Sequence, residues 1–143
     1  LGWNMRLSNL QAAVGVAQIE SLQATLHRKR DMGLLYTKLL SGHPGIQLPI
    51  PNTDFAKNHY WVFEVVLDEM SPLTVTGAMR QLGELGVGTR PFFSPMHKQP
   101  IFQEMGLFHE EKFPVSERLA RSGFYLPSGT AITYQQIEYW ILG

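Results

Sequence analysis

Apolar residues recur at three- and four-residue steps from the start of the chain: Leu7, Leu10, Val14 and Ala17, then Leu22 and Leu26, and again Leu35, Leu39 and Leu40. That period predicts an amphipathic helix. Ser8 with Gln11 has the form of a capping box. Gly42 and Pro44 supply stop signals, and no proline falls between residues 7 and 41. One helix, bent near Gly33, is expected over most of that length, with Arg28-Lys29-Arg30 as a solvated stretch. The mean helix has about 11 residues. One this long leans on more than one neighbour, so part of its apolar face is expected to meet another domain or subunit.

Residues 43–58 hold Pro44, Gly45, Pro49 and Pro51 and read as an extended connection. His59 to Leu67 is β-branched and aromatic on both faces, which predicts a central strand covered on both sides. Ser71-Pro72 has the form of a cap followed by a first-turn proline. Val75, Ala78, Met79, Leu82 and Leu85 then give a helix face that ends at Gly86. Val87 to Arg90 reads as a short strand broken by Pro91, and residues 92–106 as a proline-bounded loop with one short helical turn. Pro114 to Arg121 reads as a helix, Phe124-Tyr125-Leu126 as a strand stopped by Pro127, and Thr133 with Gln136 as the cap of a last helix. The expected fold is α+β: a long N-terminal helix packed with a small, mainly antiparallel three-stranded sheet and flanking helices.

The length of 143 residues suits one domain with a real core. Twelve basic and twelve acidic residues give zero formal net charge, which argues against a nucleic-acid surface or a polybasic membrane anchor. No apolar run approaches transmembrane length. With no cysteine, disulfides and Cys-ligated metals are excluded within the chain, and a cytoplasmic location fits. The five histidines (27, 43, 59, 97 and 109) show no metal-ligand spacing, so no metal site is expected. Phosphate-binding glycine motifs and a nucleophile elbow are also absent.

Two segments carry candidate chemistry. In Thr89-Arg90-Pro91-Phe92-Phe93-Ser94-Pro95-Met96-His97, Arg90 offers a bidentate fork for phosphate or carboxylate, and His97 donates or accepts near neutrality. Such a loop suits a nucleotide-sugar or another phosphorylated ligand; composition alone favours a packed loop, with the Phe pair plugging a core and Arg90 in a surface ion pair. In Gly2-Trp3-Asn4-Met5-Arg6, Asn4 and Arg6 precede a helix N-terminus, where backbone N–H groups favour anions, or they form an ordinary capping loop.

Together these segments resemble a known family. Residues 2–15, Gly2-Trp3-Asn4-Met5-Arg6-Leu7-Ser8-Asn9-Leu10-Gln11-Ala12-Ala13-Val14-Gly15, are similar to the G-Y/W-N-x-R-x-(T/S)-x-(L/I)-Q-A-A-x-G signature of the DegT/DnrJ/EryC1/StrS family. Its members are pyridoxal-phosphate-dependent nucleotide-sugar aminotransferases of fold type I. Tyr60 to Phe63 resembles the family's strand. Arg90 to His97, followed by Gln99-Pro100, resembles the loop of the perosamine-synthase-like branch. Ser116-Glu117-Arg118 and Leu126 to Gly129 resemble the closing segment.

The resemblance implies a C-terminal small domain over residues 1–143, with 1–42 as the cofactor-contacting loop and long interface helix and 43–143 as the α+β sandwich. It implies a homodimer with active sites at the subunit interface. Asn4 would reach the pyridoxal 5'-phosphate of the neighbouring subunit, with Arg6 buttressing that loop. Arg90, Phe92 and His97 would border the nucleotide-sugar pocket, with Tyr60 and His59 behind them. The Schiff-base lysine of the family lies upstream; lysines 29, 38, 57, 98 and 112 fit no such context. The chain alone is therefore expected to be inactive. In the whole enzyme an amino donor such as glutamate would supply the amine for a keto-deoxy nucleotide-sugar, for example a GDP-4-keto-6-deoxyhexose. Two further readings stand: a cofactor-dependent sugar dehydratase of the same family, and a non-catalytic dimerisation or ligand-binding module on the same scaffold.

Overall fold

The computed structural model describes residues 2–3 and 5–142. The long helix α1 runs from Asn9 to Leu40, helical through Gly33. Its start is the expected capping box: Ser8 Oγ accepts from the Gln11 amide at 3.3 Å, and Gln11 Oε1 accepts from the Ser8 amide at 2.9 Å. The rest of the chain forms strands β1 (Ile46–Gln47), β2 (Phe63–Leu67), β3 (Arg90–Pro91) and β4 (Gly123–Leu126), and helices α2 (Val75–Glu84), α3 (Pro100–Glu104), α4 (Pro114–Ser122) and α5 (Tyr134–Leu142). The sheet has the order β1-β2-β4-β3 and is antiparallel throughout. The α+β arrangement is the expected one, with one more strand. β1 is only two residues long and lies in the segment read as a connection, too short for a period of two to show.

Four boundaries differ from the expectations, each for a local reason. β2 starts at Phe63 rather than His59, because Tyr60 adopts φ +50°, outside strand geometry. The Asn58 side chain accepts from the Tyr60 amide at 2.8 Å and holds that turn. α2 starts at Val75 because Thr74 is its cap, accepting from the Gly77 amide at 3.1 Å, while Ser71 closes a separate turn onto the Leu73 amide. Val87 is not strand. Its amide donates to Leu82 at 2.8 Å and that of Gly86 (φ +79°) to Gly83 at 3.0 Å, the pairing of a Schellman motif. Pro91 does not break β3 but sits in it, tolerated because β3 is an edge strand. The 92–106 loop carries two turns of helix rather than one: a 3-10 turn at Met96–Lys98, then α3.

One sheet face carries Phe63, Val65, Leu67, Phe124 and Leu126 and packs on Met32 and Tyr36 of α1, Ala78 of α2 and Ile137 of α5. Each large apolar side chain so buried contributes roughly 1.5–3 kcal/mol. Tyr36 stacks on Phe63 at 4.8 Å between ring centroids, and its hydroxyl donates to Pro127 O at 2.9 Å. Burial raises the Tyr36 phenol well above its ordinary range. The other face carries Glu64, Val66 and Tyr125 beneath α4.

The basic tract of α1 is docked rather than solvated. The Lys29 ammonium donates to Trp61 O at 2.7 Å and to Ser128 O. Arg28 donates to Ile132 O and lies 4.2 Å from the ring centre of Tyr134. Ser128 completes the knot: its Oγ donates to Leu126 O at 2.7 Å and accepts from the Phe63 amide at 2.8 Å. The first half of α1, by contrast, has no cover among the described residues. Leu10 is 78% exposed and Ile19 71%.

Two glycines of α1 therefore have opposite expected behaviour. A Cβ at Gly33 would lie 2.2 Å from the Tyr60 ring, so Gly33→Ala should destabilise the 143-residue chain by about 1–3 kcal/mol. Nothing lies within 4 Å of a Cβ at Gly15, where Ala should stabilise the helix by about 0.5–1 kcal/mol. Urea denaturation of the two variants checks both signs.

Candidate functional site

β3 sets the position of the Arg90 side chain. Arg90 pairs with Tyr125 of β4, which pairs with Glu64 of β2, so the three side chains form one row across the sheet. Burial raises the Glu64 carboxyl from its ordinary value, and burial plus the Glu64 charge raise the Tyr125 phenol. Phe92 follows on the same face, its amide donating to Gly123 O at 3.2 Å and its ring stacked on Tyr125 at 4.7 Å. Only glycine fits at 123, because a Cβ there would lie 2.7 Å from both the Phe92 ring and Leu119 O.

Arg90 lines a cleft of about 470 Å³ with Lys29, Trp61, Tyr125 and Ser128. Among the described residues lining it none is acidic. Burial lowers the Lys29 ammonium from its ordinary value. Two of its three N–H bonds go to Trp61 O and Ser128 O, which leaves one for a ligand. The indole of Trp61 is largely exposed and offers a flat apolar surface beside the two cations. Chemically, Arg90 can donate to an anion through a two-pronged fork, Lys29 can add its third N–H, and the indole can pack against a ring.

The remaining expected site residues separate from Arg90. His97 is 7% exposed and inside the protein. Its Nε2 is 3.0 Å from Glu117 Oε1 of α4, its ring lies 4.7 Å from Phe113, and its backbone carbonyl accepts from Gln103. Here His97 clasps the 3-10 turn to α4. The hydrogen bond from His97, helped by the charge of Lys98 at 3.6 Å, holds the Glu117 carboxyl below its ordinary value. Tyr60 is 2% exposed and seated on α1, and His59 is exposed. Arg6 is exposed ahead of α1, and Asn4 lies outside the described residues. At 1.5 Å per residue, the start of α1 is about 30 Å along the helix from Lys29.

Among the described residues no cluster of three or more His, Cys, Asp or Glu side chains could hold a metal, and no helix is long and apolar enough to cross a membrane. Sequence reasoning missed Lys29, Glu64 and Tyr125. The signal for Glu64 was present as a lone acid inside an apolar strand. Nothing in Arg28-Lys29-Arg30 announced which of the three faces the sheet.

A family model, that of the DegT/DnrJ/EryC1/StrS aminotransferase family, matches residues 1–141, and the chain belongs to this family. It is 30% identical over 138 residues to the GDP-perosamine synthase of Vibrio cholerae, covering 96% of this chain and 36% of the relative. It is 27% identical over 90 residues to the GDP-4-keto-6-deoxy-D-mannose 3-dehydratase of Yersinia pseudotuberculosis, covering 63% of this chain and 22% of the relative. The solved structure of S. venezuelae DesV superposes with a TM-score of 0.83 at 26% identity, covering 98% of this chain and 36% of that one. The chain thus spans about a third of the length of the relatives it matches.

The clasp makes stability pH-dependent with a definite sign. A carboxyl whose folded pKa is depressed adds stability above its unfolded value, near 4.5, and that stability is lost as pH falls through the folded one. Melting temperatures of wild type and Glu117→Gln should differ at pH 6, with wild type higher, and converge as pH falls below 4. A gap that stays constant to low pH would show that the Glu117 charge has no such role.

Proposed function

We propose that this chain is the C-terminal small domain of a cytoplasmic, homodimeric, pyridoxal-phosphate-dependent aminotransferase. Its substrate would be a keto-deoxy nucleotide-sugar such as a GDP-4-keto-6-deoxyhexose, and its amino donor an amino acid such as glutamate. The observation that carries this reading is the cleft between Lys29 and Arg90. A nucleotide-sugar carries a diphosphate between a nucleoside, whose base is flat, and a hexose; the cleft offers two cations, an exposed indole and, among the described residues, no lining acid.

In this reading Arg90 takes the diphosphate with its two-pronged guanidinium, and Lys29 adds its remaining N–H. Phe92, held flat on Tyr125, fixes the loop that follows. The His97–Glu117 clasp sets the far end of that loop, so His97 acts on the substrate by positioning Phe92 and Phe93, and Tyr60 and His59 act through the turn that leads to Trp61. Pyridoxal 5'-phosphate, when bound, supplies the electron sink through which the amine is transferred. Its phosphate suits the other end of α1: no acidic side chain stands in the first turn, and Arg6 precedes the Ser8 cap. Asn4 and Arg6 would hold that phosphate. With about 30 Å of helix between them and the cleft, the two ends of one chain serve different active sites, as a homodimer with shared sites requires.

Two variants of the full-length protein test the two ends. Arg90→Met should lower kcat/KM for the nucleotide-sugar about 30- to 100-fold, chiefly through KM. Asn4→Ala should release cofactor on dialysis, read by absorbance, while wild type retains it. Unchanged constants in the first case, or unchanged retention in the second, would reject that residue's role. The product separates the branches: an aminated sugar with glutamate consumed is expected, whereas loss of a ring hydroxyl without net amination would place the protein with the dehydratases.

A further inference from the structure

Trp61 is fixed at its backbone and free at its side chain. On one side of it the Tyr60 amide donates to the Asn58 side chain at 2.8 Å, and the Tyr60 ring is buried against α1. On the other side the Phe63 amide donates to Ser128 Oγ at 2.8 Å. Between these anchors the Trp61 carbonyl accepts from the Lys29 ammonium at 2.7 Å. The residue is nevertheless 65% exposed, although tryptophan is highly buried on average. A large aromatic side chain on a backbone already held in place gives up little freedom when a ligand packs on it.

Among the described residues lining the cleft two are aromatic, and one of them has an open ring. Tyr125 is occupied: Phe92 stacks on it at 4.7 Å between ring centroids, and Phe93 lies tilted at 6.0 Å. No ring or cation among the described residues stacks on the Trp61 indole. The part of a nucleotide-sugar that suits such a surface is its base. A hexose is edged by hydroxyls that need polar partners, and an indole supplies one donor and no acceptor, whereas a base has two flat π faces. Lys29 grips the Trp61 carbonyl and keeps its third N–H for an anion, so the aromatic platform and a phosphate donor share one anchor. Stacking attraction grows with the number of atoms in contact, and the two fused rings of an indole match those of a purine better than the single ring of a pyrimidine.

We propose that Trp61 is the platform on which the nucleobase stacks, and that through it the cleft favours a purine over a pyrimidine nucleotide. This inference rests on the nucleotide-sugar reading of the cleft. The test uses full-length protein saturated with pyridoxal 5'-phosphate, so that the cofactor's own phosphate site is filled. GDP, UDP and pyrophosphate are titrated separately by calorimetry. Trp61→Ala should weaken GDP about 10- to 100-fold and UDP less, and should leave pyrophosphate unchanged. Trp61→Phe keeps one flat ring and should recover most of the UDP affinity but only part of that for GDP. Arg90→Met should weaken all three, because it removes the phosphate fork. The proposal is overturned if Trp61→Ala binds GDP as wild type does, if it weakens pyrophosphate as much as GDP, or if GDP and UDP lose equally. In each of those cases a loss of all three ligands in Arg90→Met still upholds the phosphate role of the cleft. Wild type that binds neither nucleotide overturns both the platform and the nucleotide-sugar reading.

Discussion

The ring of Tyr60 lies so close to α1 at Gly33 that no side chain fits between them. Much follows from that contact. The ring reaches the helix only because Tyr60 leaves the extended conformation, which Asn58 enforces from two residues earlier. Leaving it delays β2 to Phe63, and Phe63 then stacks between Tyr60 and Tyr36. With β2 so registered, β4 pairs beside it and β3 beside β4, which puts Arg90 opposite Tyr125 and next to the cleft that Lys29 enters from α1. The seating of one aromatic ring on a bare turn of helix thus reaches the candidate anion site through successive hydrogen-bonded strands.

Much of this fold was legible in the sequence, and its limits have physical causes. The caps at Ser8 and Thr133 were readable because a capping box is a short local device with its own residue signature. The elements rich in apolar periodicity, α1, α2 and the core of β2, were readable for the same reason. Shifted boundaries were those decided by tertiary contact or unusual dihedrals: Tyr60 in a left-handed conformation, Val87 consumed by a helix-ending motif, Pro91 admitted because its strand has an open edge. The basic tract shows the limit most plainly. Three consecutive cations look alike in sequence, but a helix turns them 100° apart, and only the packed structure sends Lys29 to the carbonyls of Trp61 and Ser128 while Arg30 lines a separate recess with Tyr60.

Of the residues expected at a site, Arg90 lines a cleft with Lys29 and Trp61, while His97 and Tyr60 have packing duties that their identity alone did not disclose. A histidine in an aromatic and proline-rich loop has the same sequence appearance whether it faces solvent or a glutamate. Here Glu117 lies twenty positions further on, on α4, a separation no local pattern encodes. The membership of the chain in the DegT/DnrJ/EryC1/StrS aminotransferase family rests on residues 1–141. Within that span Arg90 and Lys29 keep donors at the cleft, while His97 and Tyr60 support their neighbours.

The length of α1 has a consequence of its own. Its first turns have no cover among the described residues, while the later turns are fixed by Gly33, Lys29 and Arg28 to the segments that flank the sheet. A helix transmits rotation rigidly. One residue inserted anywhere between Leu10 and Lys29 would swing the N-terminal segment by about 100° about the axis and carry it about 1.5 Å along it, with no loop to absorb the change. Substitutions along that span alter a surface, but insertions and deletions alter an orientation. The segment is thus tolerant in composition and intolerant in residue count, the reverse of an ordinary linker between two working parts.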